Sequence, residues 1–163
     1  MKKKIANALV GYTGFIGSNL TNIKKNFKYF NSKNIHKIRN KSFDAIYCAG
    51  TYSKIWLAKK KPKKDKKNIQ NLILNLSKTK AKKFFLISTC EVYGKQMKTF
   101  ENSKIKKNIN YAYGNNRVKL EDFVKKNFKS YHILRLPIVY GKNFSKNFLY
   151  DLINRKNLDQ LNG

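Results

Sequence analysis

The sequence predicts an α/β fold, a doubly wound parallel sheet in three αβα layers, with residues 1–163 forming one domain. Three observations predict it. Apolar runs of strand length alternate with helix-period segments along the chain. The runs lack the apolar/polar alternation of a half-exposed sheet, as expected of strands covered on both faces. A cluster of three glycines, "GYTGFIG", stands between the first run and the first helical segment.

The elements follow in order. Ile5–Val10 is a short apolar run ending at Gly11 and reads as a buried strand. "GYTGFIGSNLTNIKKNF" then places Phe15, Ile16, Leu20 and Ile23 at helical spacing, in a helix starting near the second glycine. Lys28–Phe30 is a weak strand, and "FDAIYCAG" (Phe43–Gly50) a clearer one that ends in small residues. Residues 51–67 are basic and poorly patterned, and read as a loop with a helical piece at "IWLA". "NIQNLILNLSKTK" carries Ile69, Leu72, Ile73 and Leu76 at i, i+3, i+4 and i+7, which marks a helix. "KKFFLIST" is a buried strand. "YGNNRVKLEDFVKKNF" is a helix with Tyr113, Arg117, Leu120 and Val124 on one side. "YHILRLPIVYG" is another buried strand, stopped at Pro137, and "KNFLYDLIN" is a final amphipathic helix.

Composition narrows the class. Hydrophobic residues make up 41% and aromatics 13%, enough for a packed interior and against wholesale disorder. Lys+Arg total 37 against 8 Asp+Glu, a net charge of +29. Such a balance suggests a polyanion partner. Yet the lysines are scattered along the chain, and arginine, the better fork for phosphates and bases, is scarce. With asparagine and isoleucine also abundant, the charge reads as compositional drift, leaving only non-specific nucleic-acid binding at low salt. Cys48 and Cys90 fit no zinc spacing, so no metal site is expected, and unpaired thiols suit a reducing, cytoplasmic setting. "MKKKIANALVG" imitates an export signal, but its apolar run is short, contains Asn7 and passes into the glycine cluster without a cleavage site. No stretch approaches the roughly 18 apolar residues of a membrane span.

In doubly wound sheets, ligands sit at the carboxyl ends of the strands. The candidate positions are Gly11–Gly17, Cys48–Gly50, Ser88–Glu91 and Leu136–Tyr140. Gly11, Gly14 and Gly17 follow a strand and open a helix, the setting of a dinucleotide-binding turn. Gly11 would permit the tight turn, Gly14 would let backbone approach a pyrophosphate, and Gly17 would allow close helix–sheet packing. A plain structural turn remains the alternative. An acid at the end of the second strand would hold ribose hydroxyls, but Asn31 and Ser32 stand there with Lys33 beside them. That admits NADP as readily as NAD. Thr89 presents a hydroxyl at the sheet edge, followed by Cys90 and Glu91. Tyr113 and Arg117 are four residues apart and share a helix face.

"GYTGFIG", "FDAIYCAG", "FFLISTCEVYG", "YGNNRVKLE" and "ILRLPIVYG" together resemble, in order and spacing, the extended short-chain dehydrogenase/reductases, the NAD-dependent epimerase/dehydratase family. The resemblance runs from Lys4 to about Asp151 and is strongest to a shorter branch with arginine in the YxxxK lysine position. It implies a Rossmann-type NAD or NADP domain that modifies a nucleotide sugar by epimerisation, reduction or dehydration. It implies cofactor contacts at Gly11, Tyr12, Thr13, Gly14, Phe15, Ile16, Gly17, Asn31, Cys48, Ala49, Gly50, Ser88, Leu136 and Pro137. It makes Tyr113 the acid/base, Thr89 the holder of the reacting oxygen, Arg117 the stand-in for lysine and Glu91 a possible base. Cys90 replaces a carboxylic acid, which weighs against a 4,6-dehydratase. Relative to that family the chain lacks most of the C-terminal substrate lobe, which implies a truncated remnant, completion by a homo-oligomer or partner chain, or a minimal substrate site. A non-catalytic NAD(P)-binding subunit is the alternative.

The charge alone generates one test. Retention on a polyanionic matrix should be clear at about 50 mM salt and lost by about 200 mM, with no sequence preference among nucleic acids.

Overall fold

The computed structural model describes residues 6–22, 26–53, 55–96, 98–106, 111–141 and 148–154. Ile5, Ile23 and the first two residues of "KNFLYDLIN" lie outside them. Five strands form one sheet: β1 (Asn7–Val10), β2 (Phe27–Phe30), β3 (Ser42–Cys48), β4 (Lys80–Thr89) and β5 (Tyr131–Leu136). Its order is β2-β1-β3-β4-β5, and every pairing is parallel. The helices are α1 (Phe15–Thr21), α2 (Ile55–Lys60), α3 (Pro62–Leu76), α4 (Ala112–Asn127) and α5 (Phe148–Ile153). The predicted doubly wound α/β architecture is the one observed.

Parallel strands need crossover connections, and here helices provide most of them. One sheet face carries Ala8, Val10, Phe30, Ile46, Cys48, Phe84 and Leu86, which share a buried cluster with Ile69, Leu72 and Leu76 of α3 and Leu120 and Val124 of α4. Small Ala8 and Cys48 alternate with large neighbours, which lets the helices settle close to the sheet. On the other face Tyr47, Phe85 and His132 stand at matched register on β3, β4 and β5. Tyr47 and Phe85 stack with ring centroids 4.7 Å apart, and Phe85 and His132 at 5.0 Å. Phe27 of β2 meets Tyr47 edge-on at 5.4 Å.

One segment differs from the sequence reading. Residues 51–67 are not mainly loop: α2 occupies Ile55–Lys60, and α3 begins at Pro62, well before Ile69. Proline at the first turn is pre-set for helix and forfeits no hydrogen bond there. The apolar period is invisible because the one buried position of that first turn is Asp65, a carboxylate among exposed lysines. β5 stops at Leu136, immediately before Pro137, as expected, but it is not buried: it is an edge strand, and Tyr131, His132 and Leu134 are exposed.

Phe84 is fully buried, and its ring lies 4.4 Å from that of Phe128. Phe84→Ala should lower unfolding free energy by about 3–5 kcal/mol in urea denaturation.

Candidate functional site

The connection after β1 leads to β2 on one side, and the chain then returns to β3 on the other, so their carboxyl ends part at β1. That is the switch point where doubly wound sheets open a crevice. At the end of β1 the Gly11 N–H donates to the Phe30 carbonyl at 2.7 Å, and the Ala49 N–H to the Val10 carbonyl at 2.8 Å. Gly11 takes φ +84°, and a Cβ there would lie 2.3 Å from the Ala49 carbonyl oxygen. A Cβ at Gly17 would lie 2.1 Å from the Gly11 carbonyl oxygen. Both positions therefore exclude any side chain. Gly14 differs: a Cβ there would come no closer than 3.4 Å to the Gly11 carbonyl oxygen, and Gly14 borders open space.

That space is a cavity of about 150 Å³. Its walls are the glycine turn (Gly11, Thr13, Gly14), the end of β2 (Asn31, Ser32), the end of β3 (Ala49–Tyr52) and α3 (Asn68, Asn71, Leu72), with Val10 and Ile35 at the base. Among the described residues, no carboxylate lines it. Asn31 is fixed on three sides. Its N–H donates to Asn34 Oδ1 at 2.7 Å, its Oδ1 accepts from the Lys33 N–H at 2.9 Å, and its Nδ2 donates to the Tyr12 hydroxyl at 3.2 Å.

Of the residues named from sequence for a cofactor, Gly11, Thr13, Gly14, Asn31, Ala49 and Gly50 line the cavity. Tyr12 backs Asn31, Gly17 is pressed under the turn, and half-buried Phe15 and Ile16 open α1. Cys48 is wholly buried in the core, and burial pushes its thiol pKa up to about 11. Ser88 is buried and donates to Glu121 Oε1 at 2.6 Å. Leu136 and Pro137 lie at the end of β5, away from the cavity wall.

A second group gathers at the ends of β4 and α4. Thr89 Oγ1 accepts from the Glu91 N–H at 3.2 Å and caps the short 3-10 turn Cys90–Tyr93. The Glu91 carboxylate accepts from the Tyr111 hydroxyl. A Cβ at Gly114 would lie 2.4 Å from the Glu91 carbonyl oxygen, so only glycine lets the first turn of α4 press on that turn. Tyr113 is buried on α4, with the Arg117 guanidinium 3.8 Å from its ring centroid. Burial raises the Tyr113 pKa above its ordinary value. The Arg117 charge opposes this, and the Asp65 and Glu91 carboxylates reinforce it.

Arg117 is itself buried, 2% exposed. Its Nη1 donates to Asp65 Oδ2 at 2.5 Å and, at 3.4 Å, to the Tyr113 carbonyl. Its Nη2 donates to the Tyr52 carbonyl at 2.6 Å. Asn116 Nδ2 also donates to Asp65 Oδ2, at 2.8 Å. One turn on, Glu121 is 0% exposed and accepts from Arg135 Nη2 at 2.7 Å and Nε at 3.1 Å. Sequence reasoning missed Asp65, Tyr111 and the Tyr52 carbonyl. The available signal for Asp65 was one carboxylate inside "KKPKKDKKN", a placement with no purpose on a solvated lysine face. Among the described residues, no His/Cys/Asp/Glu group could hold a metal ion, and no helix is long and apolar enough to cross a membrane.

Residues 9–161 match the family described as RmlD substrate binding domain. The chain belongs to that family. No curated protein sequence matches the chain. Several solved structures match, among them three that act on sugar nucleotides by their descriptions. The dTDP-4-dehydrorhamnose reductase of Bacillus anthracis str. Ames, solved with NADP, is 21% identical with a TM-score of 0.70, over 95% of this chain and 61% of that one. TunA, an NAD-dependent NDP-hexosamine 5,6-dehydratase, is 18% identical with a TM-score of 0.71, over 93% and 62%. The UDP-glucuronic acid 4-epimerase of Bacillus cereus, solved with NAD, is 20% identical with a TM-score of 0.64, over 93% and 64%. At these identities the RmlD-family chain shares their Rossmann-like fold. It spans about three fifths of their length.

The contrast between the two free thiols gives a direct check. Cys90 is exposed and Cys48 is buried with a raised pKa. An aromatic disulfide reagent at pH 8 should titrate one thiol per folded chain, at Cys90, and two after unfolding.

Proposed function

We propose that this domain binds NAD(P) in the β1/β3 crevice and serves hydride transfer on a nucleotide sugar, with reduction of a keto sugar as the leading reaction. The observation that carries this reading is the glycine turn. Gly11 and Gly17 are pressed against backbone, while Gly14 leaves room beside a cavity of about 150 Å³. A missing Cβ facing open space is what a pyrophosphate needs to reach backbone. The carboxylate-free wall, with Asn31 and Ser32 at the end of β2, would accept a 2′-phosphate, so NADP fits as well as NAD. The family match and the reductase, dehydratase and epimerase structures support the substrate class. Free thiols at Cys48 and Cys90 suit a reducing cytoplasm.

When bound, a reduced nicotinamide supplies the hydride. The residues of this chain would handle the proton and the oxygen. Arg117 takes the lysine place of the YxxxK motif. Burial keeps the Tyr113 phenol protonated at neutral pH, which suits an acid that gives its proton to a carbonyl oxygen. Thr89 at the end of β4 would hold that oxygen. Glu91, already engaged by Tyr111, is the reserve base for an elimination.

Two observations favour a second reading. Tyr113 is only 6% exposed, and the charge above it is already committed to Asp65. Both suit a subunit that binds cofactor without turning over substrate.

Titration with NADPH and NADH, followed by fluorescence and thermal shift, tests the cofactor; binding of neither overturns it. With a 4-keto sugar nucleotide, Tyr113→Phe should abolish turnover while NADPH affinity stays within about twofold. Turnover at the wild-type rate would remove Tyr113 from the mechanism. NADPH binding with no turnover in the wild type would favour the subunit.

A further inference from the structure

The charge cluster on α4 bears on the cavity without touching it. Arg117 and Asp65 are 2% and 6% exposed, and neither lines the crevice. Their contacts nonetheless join three pieces of the fold: α4 through Arg117 and Asn116, α3 through Asp65, and the segment after β3 through the Tyr52 carbonyl. That last segment forms one wall of the crevice, from Ala49 to Tyr52. A buried guanidinium needs a counter-charge, and Asp65 is the carboxylate it has. Once Nη1 is anchored on Asp65, the planar fork aims Nη2 at the Tyr52 carbonyl. An ammonium lacks that second arm in fixed geometry, so lysine at 117 could not make both contacts in the same way. Nε makes no hydrogen bond, so the cluster's hold rests on the two Nη groups.

We propose that Asp65 is a positioning residue: acting through Arg117 it fixes the Tyr52 carbonyl, and with it the crevice wall, so that the α4 arginine serves cofactor binding from outside the crevice. This rests on the dinucleotide reading of the crevice. It makes the arginine, beyond a stand-in for lysine, half of a two-residue device whose other half lies on α3.

The test combines NADPH affinity with a ligand-free measurement. Trp56, the chain's one tryptophan, lies on α2 four residues beyond Tyr52 and reports the motion of that segment by time-resolved anisotropy. Asp65→Asn and Arg117→Lys should each weaken NADPH binding at least about tenfold, and the double variant should lose no more than the worse single one. Asp65→Glu, which keeps the carboxylate, should stay within about threefold of wild type, a rescue that mere packing would not produce. In ligand-free protein, both single variants should at least double the amplitude of fast Trp56 depolarisation. If Asp65→Asn binds NADPH within about twofold of wild type, or if the two losses multiply in the double variant, the proposal is overturned. If Asp65→Asn does not fold, Arg117→Lys decides by the same two readouts. If wild type binds neither NADPH nor NADH, the dinucleotide reading fails by itself. The anisotropy then decides for Asp65, and an unchanged Trp56 signal overturns it.

Discussion

The carboxyl edge of this sheet depends on β1 being paired on both sides, with β2 and β3. A strand flanked by parallel neighbours has every backbone group committed, so its exit cannot drift. Gly11 leaves that strand under the Ala49 carbonyl with no room for a side chain, and the return of the chain to β3 opens the crevice beside it. Turn, cavity and wall are consequences of this single strand order. Moving β3 to the far side of β2 would close the crevice while leaving each element intact.

Helix α4 is fixed to this frame by charge as well as by apolar contact. Leu120 and Val124 pack in the core. Interleaved with them along the helix stand two fully desolvated ions, Arg117 and Glu121, each with a partner from another element: Asp65 of α3 and Arg135 of β5. Removing one partner of a buried pair typically costs about 3–5 kcal/mol, because the other charge is left without water. The pairs therefore set where α4 can sit, even if they add little net stability. This matters in a chain with 8 carboxylates against 37 basic residues. Asp65 and Glu121 go to the interior, where a charge must be matched.

The sheet, its parallel sense and most helix positions were legible in the sequence, because the strands leave apolar runs and the helices 3.6-residue periods in the plain text, although the edge strands β2 and β5 are partly exposed. The glycine turn was legible because Gly11 and Gly17 stand where backbone leaves no room for a side chain and Gly14 stands where the turn faces open space. The start of α3 was not. Its buried face there is Asp65, and a carboxylate among lysines looks like solvated surface until its partner is known. Arg117 was noticed for its spacing from Tyr113. The direction of its fork, toward Asp65 and the Tyr52 carbonyl, depends on contacts 52 and 65 residues away in sequence. Short-range pattern carries no information at that range. Tyr111 was overshadowed by Tyr113, although Tyr111 is the one joined to Glu91.

The ring stack of Tyr47, Phe85 and His132 bears on how the chain reaches this state. The three residues sit at the same height on neighbouring strands, each brought there by its own crossover. Parallel strands assemble from distant segments, and a slip of one residue flips every side chain of a strand to the other face. For β4 such a slip would break both stacks together and drive Phe85 toward the side already filled by Phe84 and Leu86. The stack thus acts as a proofreading mark, rewarding one alignment of three strands and penalising its nearest competitors in the same step.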